Sequence, residues 1–150
     1  MRSVPPLKAT QSSLILLVDD NPHGMLARAA VLRSLGYEVT TAASAEEALE
    51  LAGARAIDLV VTDFRMPEMD GKQLIAALKA RGFEMPVILL SGFADKLGFD
   101  EESTGANLVI QKSANEVTVL ASAIKRLLGN TRKPPSSAPG GSGKRSATAE

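Results

Sequence analysis

The chain has 150 residues, 45% of them hydrophobic, with 17 Lys+Arg against 17 Asp+Glu, one His and no Cys. That length suits one domain that buries a core without metal or disulfide support, and the apolar content excludes a wholly disordered protein. The missing Cys removes disulfides, thiolate nucleophiles and Cys-ligated metals, the lone His23 leaves no material for a His-rich zinc site, and the zero net charge argues against bulk nucleic-acid binding.

Residues 1–12, with Pro5-Pro6, read as a flexible leading segment. Leu14 to Val18 is a continuous apolar run, the pattern of a strand buried on both faces. Asn21 then reads as an N-cap and Pro22 as the first residue of a helix that runs to about Leu35, where Gly36 stops it. Tyr37 to Thr41 is a short strand. Ser44, with Glu47 three residues on, reads as a capping box opening a helix with Ala45, Ala48, Leu49 and Ala52 on one face. Asp58 to Thr62 is the third strand. Asp70-Gly71 opens a helix striped by Leu74, Ile75 and Leu78. Pro86 to Leu90 is the fourth strand and Leu108 to Ile110 the fifth. Between them, the stretch from Ser91 to Gly105 holds three glycines and has poor helix propensity, so its helix is expected to be short, distorted or mobile. The last helix carries Val117, Leu120, Ala121, Ile124, Leu127 and Leu128 at helical spacing. Residues 130–150 are rich in Pro, Gly and Ser and read as a disordered basic tail.

The folded part is thus about 13–129. Five strands alternating with helices make an α/β domain, a doubly wound (βα)5 parallel sheet. The zero charge conceals a split: residues 14–128 carry 11 basic and 16 acidic side chains, and both ends are basic. No apolar run approaches the ~20 residues of a membrane span and none has the form of a signal peptide, so a cytoplasmic location with no membrane partner is the expectation.

In such sheets ligands bind at the carboxyl ends of the strands. There stand Asp19 and Asp20 after the first strand, Asp63 after the third, Ser91 after the fourth and Lys112 after the fifth. Taken singly, an Asp suits a turn or cap, Ser91 a turn and Lys112 the solvated surface. Their joint placement is what points to chemistry. Three carboxylates together repel unless a cation or raised pKa values relieve them. An all-oxygen cluster selects a hard cation, with Mg²⁺ the obvious candidate. A cation, a carboxylate, a lysine and a hydroxyl are the parts of a phosphoryl-transfer site.

Across about 13–129 the chain resembles the receiver domain of two-component response regulators. The resemblance is carried by Ile15-Leu16-Leu17-Val18-Asp19-Asp20-Asn21, by Leu59-Val60-Val61-Thr62-Asp63-Phe64-Arg65-Met66-Pro67-Glu68-Met69-Asp70-Gly71, and by Leu89-Leu90-Ser91-Gly92. It implies a flavodoxin-like strand order 2-1-3-4-5, with Asp63 as phosphoacceptor and Mg²⁺ as cofactor. Asp20 would be a direct metal ligand, Asp19 a ligand through water, and Asp63 and the backbone carbonyl of Arg65 would complete the protein ligands. Ser91 would bond the phosphoryl group and Lys112 would pair with it. Pro67 and Gly71 would shape the loop after the acceptor. The resemblance further implies a phosphoacceptor rather than an enzyme acting on other substrates, and because only the tail follows the last helix a stand-alone receiver is the expectation. Its donor would be a histidine kinase or histidine phosphotransfer protein, and its output an altered affinity for an unidentified protein target. Two positions depart from the family: Ser113 follows Lys112 where proline is usual, and Val109 stands where an aromatic switch residue is usual, with Phe93 or Phe99 as substitutes.

Other readings fit less well. A haloacid-dehalogenase-like Mg²⁺ phosphatase would need a second Asp where Arg65 stands. No glycine-rich phosphate loop follows the first strand. A pseudo-receiver that binds partners without phosphorylation would have no use for so costly an acidic cluster. No recognition helix of a DNA-binding motif is apparent, so direct DNA binding is not expected.

Overall fold

A computed structural model describes residues 12–92, 101–113 and 115–131. Five parallel strands form one sheet in the order β2-β1-β3-β4-β5: β1 (Leu14–Val18), β2 (Glu38–Ala42), β3 (Leu59–Asp63), β4 (Val87–Ser91) and β5 (Leu108–Gln111). The helices are α1 (Pro22–Ser34), α2 (Ala45–Ala54), α3 (Gly71–Ala80), the short α4 (Glu101–Thr104) and α5 (Glu116–Thr131). This is the doubly wound architecture expected from the alternation of apolar runs and amphipathic segments, in the flavodoxin-like strand order that the family resemblance implies.

The three central strands are buried along their whole length, because helices cover both faces. Alternate residues of β1 feed two separate cores. Leu14, Leu16 and Val18 pack with Val60, Leu89 and the inner faces of α2 and α3. Ile15 and Leu17 pack with Leu59, Val61, Ile88, Leu90 and the inner faces of α1 and α5. A one-residue slip of β1 would exchange these two sets, so both faces hold its register.

The helix ends follow local chemistry. Asn21 Oδ1 accepts from the backbone N–H of His23 and Gly24, and Pro22 opens α1 behind it. Gly36, at φ 102°, turns the chain out of α1 in a conformation that disfavours a Cβ. At α2 the capping differs from a reciprocal box. Ser44 Oγ accepts from Glu47 N–H, but the Glu47 carboxylate reaches back to Ala43 N–H, one residue before the cap. The reciprocal box stands instead at α3, where Asp70 and Gln73 each accept from the other's backbone.

Several boundaries move by one or two residues. Asp63 and Ser91 are the last residues of β3 and β4 rather than the first after them. In α5 the apolar face centres on Leu120, Ala123, Ile124 and Leu128, so Ala123 is buried where the spacing suggested Ala121. The helix runs on to Thr131, past the expected start of the tail. The remaining tail, residues 1–11 and the substitutes Phe93 and Phe99 lie outside the described residues. No peptide bond among the described residues is cis, including Lys112–Ser113. No described helix is long and apolar enough to cross a membrane.

Candidate functional site

The parallel register delivers the site residues to one edge of the sheet. β1 ends at Val18, and the chain continues straight enough for Asp19 N–H to bond Ala42 O at 3.1 Å, holding Asp19 against β2. Asp63 is paired across from Leu90, and Phe64 N–H bonds Leu90 O at 2.8 Å. Ser91 pairs with Gln111, and the next residue, Lys112, donates its N–H to Ser91 O at 3.1 Å. With β1 paired to β3, these ladder bonds bring all five strand ends side by side.

There, one carboxylate oxygen each from Asp19, Asp20 and Asp63 lies within 4.8 Å of the others. Asp19 and Asp63 are buried at 3% and 4% exposure, whereas Asp20 is exposed. Both oxygens of Asp19 are engaged, Oδ1 by Asn21 N–H at 2.9 Å and Oδ2 by the Arg28 guanidinium at 2.8 Å. Asp63 Oδ1 is buried and has the Lys112 ammonium at 2.5 Å as its ion-pair partner. Burial pushes the Asp63 carboxyl above its usual range. The Lys112 ammonium opposes this, Asp19 adds to it and Arg28 opposes it, with the net shift upward.

The donor set fits a hard divalent cation. The three groups are all carboxylates, close enough to share one ion, with no nitrogen or sulfur ligand among them. Mg²⁺ usually keeps several waters and takes only a few protein oxygens, which suits a cluster with one exposed member.

The loop after β3 is closed on itself by a close backbone approach at the start of α3. Gly71 N–H bonds Phe64 O at 2.9 Å, and a Cβ on Gly71 would stand 2.5 Å from Asp63 O and 2.7 Å from Leu89 Cδ1. Within this loop Glu68 adopts φ 73°, a left-handed conformation uncommon for a residue with a side chain. Arg65 is exposed, two residues beyond Asp63. His23 is exposed in the first turn of α1.

Two further charged residues adjoin the site, and sequence reasoning missed both. Arg28 and Glu116 are each 8% exposed. Arg28 Nε donates to Glu116 Oε2 at 2.5 Å while its NH1 holds Asp19. Burial alone would lower the guanidinium pKa, but the Glu116 and Asp19 carboxylates together hold it above its ordinary value. The overlooked signal was phase. Arg28 stands beside Ala29 and four residues before Leu32 on the buried face of α1, and Glu116 stands four before Leu120 on that of α5. Two opposite charges in phase with two apolar stripes mark helices that meet.

The family model described as response regulator receiver domain matches residues 15–125. The chain is 36% identical over 132 residues to the gliding motility regulatory protein of Myxococcus xanthus, covering 84% of this chain and 17% of that one. It is 40% identical over 75 residues to the sensor histidine kinase RcsC of Salmonella typhimurium, covering 50% of this chain and 8% of that protein. The chain thus spans a small fraction of the curated relatives it matches. Among solved structures, it is similar to a CheY-like receiver domain from Methanospirillum hungatei, with TM-score 0.71 and 30% identity over 80% of this chain and 96% of that one. It is similar also to the response regulator TrrA of Thermotoga maritima in complex with Mg²⁺-BeF, with TM-score 0.69 and 30% identity over 77% and 98%.

Proposed function

The chain belongs to the receiver domain family of two-component response regulators, and we propose that within this family Asp63 is its phosphoacceptor and Asp19, Asp20 and Asp63 its Mg²⁺ site. The observation that carries this reading is the convergence of three carboxylates within 4.8 Å beside the Lys112 ammonium at the strand ends. The similarity to TrrA, solved with Mg²⁺-BeF, supports it.

In the proposed reaction an Asp63 carboxylate oxygen forms a bond to phosphorus as the bond to the donor's leaving group breaks. With a phosphohistidine donor, the departing electron pair stays on the imidazole nitrogen, which then takes a proton. The product is an acyl phosphate, a mixed anhydride that water can later cleave to restore the carboxylate. Lys112 is placed to offset negative charge as it moves from Asp63 onto the phosphoryl oxygens. Ser91, at the end of β4, would offer its hydroxyl to one of those oxygens. Asp20, Asp63 and the Arg65 carbonyl would hold Mg²⁺ directly and Asp19 through water. The cation supplies positive charge that relieves carboxylate repulsion and stabilises the in-line transfer. The chain's contribution is to hold these groups in place before the donor arrives.

The donor would be a histidine kinase or a histidine phosphotransfer protein, and the phosphorylated surface would change its affinity for a downstream protein. Incubating the full chain with Mg²⁺ and a small acyl-phosphate donor, followed by intact-mass measurement, tests the reading. A base-labile phosphoryl adduct absent from Asp63→Asn is expected. An adduct that persists in Asp63→Asn, or none in wild type, sinks the assignment.

A further inference from the structure

The link Asp19–Arg28–Glu116 is a buried triad that the transfer reaction does not itself require. It joins the acidic cluster, the buried face of α1 and the first residue of α5. The guanidinium lies flush against the cluster because Gly24 leaves it room. A Cβ on Gly24 would stand 3.3 Å from Arg28 NH1 and 3.5 Å from Asp19 Oδ2. Arg28 is therefore a built-in monocation on the flank of the site. It bonds the same carboxylate whose oxygens the cation cluster shares.

We propose that Arg28 is a positioning residue that sets divalent-cation affinity by competing for the charge of Asp19, and that through Glu116 it couples cation occupancy to the start of α5. The inference rests on the cation reading above and adds to it a route and a sign. A divalent ion at the cluster draws on the Asp19 charge and repels the guanidinium. The guanidinium then leans on its other partner, Glu116, and tightens the hold on α5. Conversely, a firmer Glu116–Arg28 bond draws positive charge away from Asp19 and favours the cation. Such a coupling is reciprocal by thermodynamic necessity.

The two partners therefore have opposite signs. Removing Arg28 takes a competing positive charge out of the site and tightens cation binding. Removing the Glu116 charge leaves Arg28 committed to Asp19 and weakens it. A scaffold role alone gives no such opposition, since loss of either partner would loosen the same link.

The test is a Mg²⁺ titration of the full chain by calorimetry, with no phosphodonor, for wild type, Glu116→Gln, Arg28→Met and the double variant. Couplings of this kind are typically about 5- to 150-fold. Arg28→Met is expected to bind Mg²⁺ at least about fivefold more tightly than wild type, and Glu116→Gln more weakly by a similar factor. In the Arg28→Met background Glu116→Gln should have little further effect. Arg28→Met alone strands a buried carboxylate and can fail to fold. The comparison of Glu116→Gln with the double variant, in which Glu116 carries no charge to strand and Asp19 keeps its Asn21 N–H bond, then reads the Arg28 effect by itself. A second readout is the backbone amide shifts of residues 116–120 during the titration. They should move with Mg²⁺ in wild type and stay still in the double variant.

Unchanged or weaker binding on loss of Arg28, or α5 shifts that persist without it, overturns the proposal while leaving the cation site intact. Loss of Mg²⁺ binding in Asp20→Ala checks that site separately. Failure of wild type to bind Mg²⁺ overturns both.

Discussion

Lys112 Nζ stands 2.5 Å from Asp63 Oδ1, a contact between the residue after β5 and the last residue of β3, across the full width of β4. The pair is asymmetric: the Asp63 side chain is buried at 6% exposure, whereas that of Lys112 is 35% exposed and reaches solvent. Asp63 therefore bears most of the desolvation, and its carboxyl lies above the usual range despite the ammonium.

That asymmetry makes Asp63 a cost to the fold at neutral pH. A carboxyl whose folded pKa exceeds its unfolded one binds more protons in the native state over the window between the two. Stability contributed by the protonated form is present below the unfolded value and is lost as pH rises through the folded value. Asp63→Asn, measured with chelator present, should raise Tm at pH 7, where ~1 kcal/mol corresponds to about 4 °C for a domain near this size. The advantage should shrink on acidification toward the ordinary carboxylate range. Thermal melts at several pH values check this, and a lower Tm for Asp63→Asn at pH 7 would contradict it.

Asp20 differs from its neighbour in being exposed. Asp20→Ala should change unfolding free energy by no more than about 0.5 kcal/mol, the usual range for exposed sites. The same variant should lose Mg²⁺-dependent adduct formation. Equal phosphorylation of wild type and variant would remove Asp20 from the site.

Gly71 and Gly53 offer a matched pair of glycine-to-alanine changes. At Gly71 the new methyl meets the backbone of Asp63 and the Leu89 side chain at under 3 Å, so Gly71→Ala should destabilise by about 1–3 kcal/mol, as overpacking does. At Gly53, in α2, the new methyl meets nothing within 4 Å, and Gly53→Ala should stabilise by about 0.4–1 kcal/mol through the unfolded chain. Urea unfolding distinguishes them. Equal effects would mean that the close approach at Gly71 is not a constraint.

Asp70 is acidic and near Asp63 in sequence, yet it is the α3 cap, its side chain accepting from Gln73 N–H at 2.8 Å. Asp70→Ala should cost about 1 kcal/mol, typical of a lost N-cap. It should leave Mg²⁺ affinity unchanged in calorimetric titration. A weakened affinity would bring Asp70 into the cation site.

Much of this protein is legible along the chain because its signals are local. Four apolar runs and the helices between them follow from periodicity, since a strand covered on both faces must be apolar throughout, as Leu14–Val18 is. The parallel sheet then puts Asp19, Asp20, Asp63, Ser91 and Lys112 at one edge, because each follows or ends an apolar run and parallel strands end on the same side. Even the α1 cap at Asn21 is readable, since capping involves residues two or three apart.

The tertiary structure alone decides what depends on contacts between residues distant in sequence. The Arg28–Glu116 bond spans 88 positions, and neither residue belongs to a local motif. Which carboxylate is engaged by a guanidinium and which is exposed cannot follow from two adjacent Asp codons, because α1 must first fold back over β1. The raised Asp63 carboxyl likewise depends on burial by neighbouring elements. Residue order is enough to place the charges at one edge of the sheet. How each charge is neutralised, and hence how the site couples to α5, comes only from packing. Electrostatic energy depends on distance and desolvation, and both are set when the helices close on the sheet.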